Sequence, residues 1–93
     1  MKKIIDKITT NYYKTLKVLA DHEVKSIDGY TFSPITQIEI AKKLNISKIT
    51  MNVIFKQLQD DGLVKPFEAK RGMYKLSDNA KFIIKNIEKM NEI

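Results

Sequence analysis

Four cationic side chains lie close together in the second half of this 93-residue chain: Lys65, Lys70, Arg71 and Lys75. Residues 63–76 hold these four cations and one acidic residue, and the resulting +3 is half of the net +6 of the whole chain. Ammonium and guanidinium groups pair with phosphate oxygens, so this concentration favours a polyanionic partner. A lysine-rich composition bias is the alternative explanation, since Arg71 is the single arginine among the 17 basic residues.

A second group of polar side chains recurs every four residues: Lys48, Asn52 and Lys56. Residues at this spacing share one face of a helix. An amide can form two hydrogen bonds with the edge of an adenine, and lysines on either side can reach phosphate or guanine. The hydroxyls of Ser47 and Thr50 can donate hydrogen bonds to phosphates, although Ser47 fits a helix cap better.

These side chains need a pair of short helices to position them. Thr36 followed three residues later by Glu39 forms a capping box, which predicts the start of a helix. Asn45 tolerates the left-handed backbone of a tight turn, and Ser47 predicts the start of a second helix over about 48–60. The result is a helix-turn-helix over about 36–61. Gln37 lies in the first turn of this helix, where a phosphate contact and exposure to solvent are equal alternatives.

Other elements are predicted on both sides of this pair. A β-hairpin over about 63–76 carries the cations, with Gly72 at its tip, and a short strand at Tyr30–Phe32 is expected to complete a small three-stranded sheet with it. Apolar residues at spacings of three and four predict an N-terminal helix over about 3–25 and a C-terminal helix over about 78–91.

The segment ITQIEIAKKLNISKITMNVIFKQLQDDGLV, followed by YKLSDNAK, resembles the winged helix-turn-helix of MarR-type and related bacterial regulators over about residues 30–80. The resemblance implies a mainly α (α+β) fold with one domain over 1–93: a three-helix core, a β-hairpin wing and flanking N- and C-terminal helices. It also implies binding to double-stranded DNA, with the second helix of the pair in the major groove.

Twelve residues are therefore expected to contact DNA. They are Thr36, Gln37, Ser47, Lys48, Thr50, Asn52, Val53, Lys56, Lys65, Lys70, Arg71 and Lys75. A narrow minor groove attracts cations, so we expect Arg71 to enter it, with Lys70 on a phosphate. A solvated hairpin tip is the alternative.

Two residues depart from the family's usual pattern, which often has Ser, Thr or Arg where Ile49 and Val53 stand. Three interpretations stay open. These side chains contact thymine methyl groups, or the helix contributes little direct base contact, or the surface binds a protein.

The terminal helices look more apolar than a lone domain of this size needs. Ile4, Ile5 and Tyr13 on the first helix, and Phe82 and Met90 on the last, are the residues concerned. The resemblance implies a homodimer built from these helices. The alternative is that they complete the core of the monomer.

No catalytic, metal or cofactor site is expected. His22 is the single histidine and there is no cysteine, so the usual transition-metal sites and disulfides are excluded. No nucleophile with a partner base and no phosphate-binding loop is recognisable, so we expect no enzyme activity. The first residues do not form a signal peptide and no apolar run is long enough to span a membrane, which favours the cytoplasm.

The sequence thus predicts a DNA-binding protein, most simply a bacterial transcriptional regulator. A plasmid- or phage-encoded accessory factor for replication, partition or conjugative transfer is the alternative within this class. A winged-helix module that binds protein is the alternative outside it.

Overall fold

The computed structural model describes residues 3–68 and 72–91, with side chains from 11 to 68 and from 72 to 87. Its elements are α1 (Lys3–Asp21), β1 (Val24–Lys25), β2 (Thr31–Phe32), α2 (Gln37–Leu44), α3 (Lys48–Asp60), β3 (Val64–Pro66), β4 (Tyr74–Leu76) and α4 (Asp78–Asn91). The predicted winged helix-turn-helix fold is confirmed: α2 and α3 form the helix pair, β3 and β4 the wing, and α1 and α4 the flanking helices.

The helix pair begins and turns where the sequence predicted. The Thr36 hydroxyl accepts a hydrogen bond from the Glu39 N–H (3.1 Å), and the Glu39 carboxylate accepts one from the Thr36 N–H (2.9 Å). Asn45 has the left-handed conformation, with φ 57°. The Ser47 hydroxyl accepts from the Thr50 N–H (3.0 Å) and so caps α3. These bonds satisfy helix-end donors that would otherwise have no partner.

The core lies where the four helices and the wing meet. Its fully buried apolar side chains include Leu16, Leu19, Ile40, Met51, Ile54, Phe55, Leu58 and Ala80. Ile38 lies two residues before Ile40 on α2, but it is 49% exposed. Two positions along a helix are about 200° apart around its axis, so only one of these two isoleucines can face the core.

The N-terminal helix is shorter than predicted. It ends at Asp21 rather than near residue 25, because Val24 and Lys25 pair with Phe32 and Thr31 in an antiparallel hairpin. Gly29, with φ +93°, allows the turn of this hairpin.

The predicted three-stranded sheet is not formed. The strands instead make two separate two-stranded sheets, β1–β2 and β3–β4, joined by one bridge between Ser33 and Tyr74. The bridge has both of its backbone hydrogen bonds, at 2.7 and 3.1 Å. Pro34 has no N–H to donate, so the pairing cannot continue beyond Ser33.

Two further contacts hold the wing in place. The buried Ser33 hydroxyl donates to the Leu19 carbonyl oxygen (2.6 Å), which links the sheet junction to α1. The rings of Phe32 and Phe67 stack with centroids 4.7 Å apart and planes within 8° of parallel. The position of the wing is therefore set by α1 and by the first hairpin.

No helix in the described part of the chain is long and apolar enough to cross a membrane.

Candidate nucleic-acid interface

The outer side of α3 carries the predicted base-contacting residues. On its inner side, α3 buries Met51, Ile54, Phe55 and Leu58. The opposite side therefore faces outward, and its exposed residues form what we call the α3 surface: Lys48, Ile49, Asn52, Val53 and Lys56. Asn52 lies one turn from a lysine in each direction along the helix. An amide between two cations suits a base contact flanked by phosphate contacts.

Three hydroxyls lie at the N-terminal ends of α2 and α3. Those of Thr36 and Ser47 are engaged as caps, and the Ser47 hydroxyl also donates to the Thr50 hydroxyl oxygen (2.9 Å). The contact of these residues with DNA stays a prediction. Burial is partial at Thr36 and Thr50, whereas Ser47 is exposed.

Three adjoining depressions follow the α3 surface toward the wing. The first, of about 190 Å³, lies between the N-terminal parts of α2 and α3, and the second, of about 360 Å³, lies alongside α3. Gln37 and Asn52 line both. The third, of about 420 Å³, lies at the base of the wing and shares Gln59 with the second. Adjoining depressions that share lining residues thus lead from the start of α3 to the base of the wing.

Three lysines and one acidic residue, Asp78, line the third depression. Lys65 and Lys75 lie directly opposite each other across the β3–β4 ladder, and Lys81 of α4 lines the same depression. The Lys75 ammonium donates to the Thr31 carbonyl oxygen (3.2 Å), and that of Lys81 lies 3.2 Å from the Glu23 carboxylate. Like charges opposite each other in a sheet repel, so an anion bound between them would lower the electrostatic energy.

Sequence reasoning missed Gln59 and Lys81. A helical signal for Gln59 was present, because it lies three residues after Lys56 and seven after Asn52 on the α3 face. Lys81 had no such signal. Its segment, 77–93, has balanced charges, and only the folded chain brings α4 beside the base of the wing.

The tip of the wing is described in part. Lys70 and Arg71 lie outside the described residues. Gly72 is described, with φ +77°, and a Cβ placed on it would lie 3.0 Å from the Cγ2 atom of Thr36. The returning end of the tip therefore lies against the N-cap of α2, next to Gln37.

A hydrogen bond links α1 to the end of α3. The Tyr12 hydroxyl donates to the Asp61 carboxylate (2.5 Å), and Asp61 is the C-cap of α3. Burial of the phenol, together with this hydrogen bond and the negative charge, raises the pKa of Tyr12 above its usual range. The bond fixes the C-terminal end of α3 against α1.

The described residues contain no group of three or more His, Cys, Asp or Glu side chains that could hold a metal ion. His22 is half-buried, and its Nδ1 lies 2.9 Å from the Val18 carbonyl oxygen at the end of α1.

Comparison with known proteins agrees with this geometry. Residues 33–65 match a family model described as winged helix-turn-helix DNA-binding. This range includes α2, α3 and the start of β3. No curated protein sequence matches the chain.

Among solved structures, a mutant of ZitR from Lactococcus lactis in its apo form has a similar fold, with a TM-score of 0.66 and 21% sequence identity. The alignment covers 97% of this chain and 63% of ZitR, so the chain spans less than two thirds of that protein's length.

Proposed function

We propose that this chain binds double-stranded DNA as a sequence-specific transcriptional regulator, with α3 in the major groove and the wing on the adjacent backbone. The observation that carries the proposal is the series of adjoining depressions that begins at Lys48, passes Asn52 and Lys56, and reaches the lysines at the base of the wing. The α3 part of that surface lies within the residues that match a DNA-binding family.

Each part of the surface has a distinct task. Asn52 is proposed to pair with a base edge, and Lys48 and Lys56 to neutralise phosphates on either side. Lys65 and Lys75, with Gln59 and Lys81, are proposed to hold the backbone that leaves the groove. Arg71 and Lys70 are proposed for the minor groove and its phosphates.

Charge removal at matched positions tests the proposal. Lys48→Gln with Lys56→Gln removes two cations from the α3 surface, whereas Lys42→Gln with Lys43→Gln removes two exposed cations from the end of α2. Neither Lys42 nor Lys43 lines the three depressions. Fluorescence anisotropy with labelled duplex, over a series of salt concentrations, measures both affinity and its salt dependence.

The first variant should bind more weakly and lose about 1.8 from the slope of log K against log salt, because each phosphate contact contributes about 0.9. The control should keep its slope. Equal losses in both variants would mean that net charge alone drives binding, and would contradict the assignment to α3.

Site selection from a random duplex pool tests sequence specificity. A regulator should enrich one motif, and the genomic copies of that motif should lie at promoters. Copies at a replication or transfer origin would instead favour the accessory role. Recovery of no motif would contradict sequence-specific regulation of either kind.

A homodimer formed through α1 and α4 is part of the proposal. Phe82 on α4 is 65% exposed, and Tyr13 on α1 is partly exposed. The side chains of Ile4, Ile5 and Met90 are not among those that the structure describes. Phe82→Ser should weaken self-association in sedimentation equilibrium, whereas Tyr30→Ser, which removes an exposed aromatic ring from the first hairpin, should not. A chain that is monomeric at every concentration would refute the dimer.

A further inference from the structure

Three branched aliphatic side chains are exposed where α2 and α3 would meet DNA. Ile38 on α2 is 49% exposed, and Ile49 and Val53 on α3 are 78% and 59% exposed. The core does not need them, since it is filled by their neighbours Ile40 and Met51, among others. Single exposed aliphatic residues are common on protein surfaces, but a group of three on one functional face requires an explanation.

The three side chains form a stripe that is continuous with the polar residues of the α3 surface. Ile38 and Ile49 line the 190 Å³ depression together, with Met51 beside them and Gln37, Lys48 and Asn52 completing the lining. Val53, one turn after Ile49, lines the next depression beside Asn52 and Lys56. Apolar and polar groups therefore alternate along the surface.

The chemistry of DNA limits what such a stripe can contact. Phosphates and most base edges are polar, and the major groove offers one exposed apolar group, the C5 methyl of thymine. Lys48 and Lys56 flank the stripe, and this charge favours DNA over a protein partner.

We infer that Ile38, Ile49 and Val53 recognise thymine methyl groups, so that preferred sites carry thymines on both sides of the base that pairs with Asn52. The inference rests on the proposed DNA binding and specifies the sequence class that the surface selects. It predicts A·T-rich sites whose recognition depends on the methyl group rather than on the A·T pair as such.

Deoxyuridine provides the test, because it differs from thymidine only by the missing methyl group. Duplexes of the selected site are prepared with single thymine-to-uracil replacements, and their affinities are measured by anisotropy. Loss of one methyl contact should weaken binding about fourfold, which corresponds to about 0.8 kcal/mol per buried carbon. At least two positions should show this loss.

Protein variants assign each methyl contact to a side chain. Val53→Ser and Ile49→Ser each remove every methyl group of the side chain and leave a small hydroxyl, whereas threonine would keep a methyl that can contact thymine. In each variant, replacing thymine by uracil should no longer weaken binding at one position. The same replacement should still weaken binding at the other positions. Ile27→Ser is the matched control, since Ile27 is fully exposed on the turn of the first hairpin, and it should leave the effect of every uracil replacement unchanged.

The outcomes separate the inference from the proposed function. Tight binding to every uracil-containing duplex would overturn the methyl contacts while leaving DNA binding intact. An affinity loss on uracil replacement that persists in both Ser variants would overturn the assignment to Ile49 and Val53. Failure to bind any duplex would overturn both proposals.

Discussion

The stack between Phe32 and Phe67 should measurably stabilise the wing. The two rings are parallel within 8° at 4.7 Å, and they join the first hairpin to the outer part of the wing. An aromatic pair contributes about 0.5–1.5 kcal/mol beyond the area that it buries. Neither ring is fully buried, so we expect a coupling energy in the lower half of that range, about 0.5–1 kcal/mol.

A double-mutant cycle isolates this coupling. Phe32→Leu, Phe67→Leu and the double variant are unfolded with urea, and the coupling is the difference between the double change and the sum of the single changes. In a chain of this size, 1 kcal/mol corresponds to roughly 4–8 °C in Tm, so the effect can be resolved. Strictly additive changes would refute the stacking contribution. The Phe67→Leu variant should also bind duplex more weakly than an equally destabilised core variant such as Ile84→Val.

Three further predictions follow from the described contacts. Gly72→Ala should lower the free energy of unfolding by about 1–2 kcal/mol, because Gly72 has a left-handed backbone. The loss should exceed that of Gly62→Ala, because an added Cβ at Gly62 meets nothing within 4 Å. Equal losses in urea unfolding would contradict the close approach of the wing to α2. The raised pKa of Tyr12 implies stability that is fully present below about pH 10 and is lost as pH rises toward the folded value. Tyr12→Phe should therefore flatten the alkaline fall in stability relative to the native chain, and an unchanged profile would contradict this. Lys65→Gln should relieve repulsion from Lys75 and raise the free energy of unfolding by up to about 0.5 kcal/mol. It should also lower the slope of log K against log salt for DNA binding by about 0.9. A loss of stability in thermal unfolding would refute the repulsion.

Local signals were sufficient to predict the helix pair. The capping box at Thr36, the left-handed turn at Asn45 and the cap at Ser47 are encoded within a few residues of one another, and all three are present in the structure. The inner face of α3 was also predictable, because a helix of 13 residues has a clear period.

Features that depend on distant parts of the chain were not predictable. Val24 and Lys25 continue the helical pattern of α1, yet pairing with Thr31 and Phe32 takes them into a strand. Lys81 gained its place beside the wing only through the packing of α4. The contribution of each candidate residue to DNA binding stays a prediction, since it depends on a partner molecule.

Ser33 limits how the wing can move. Its backbone is bonded to Tyr74 at the base of the wing, and its hydroxyl is bonded to α1. A rigid-body rotation of the wing would break one of these hydrogen bonds and leave a buried polar group without a partner. That loss costs about 1–3 kcal/mol of free energy. The part of the wing that contacts Ser33 therefore stays fixed to the helical body when the protein meets DNA of different groove width.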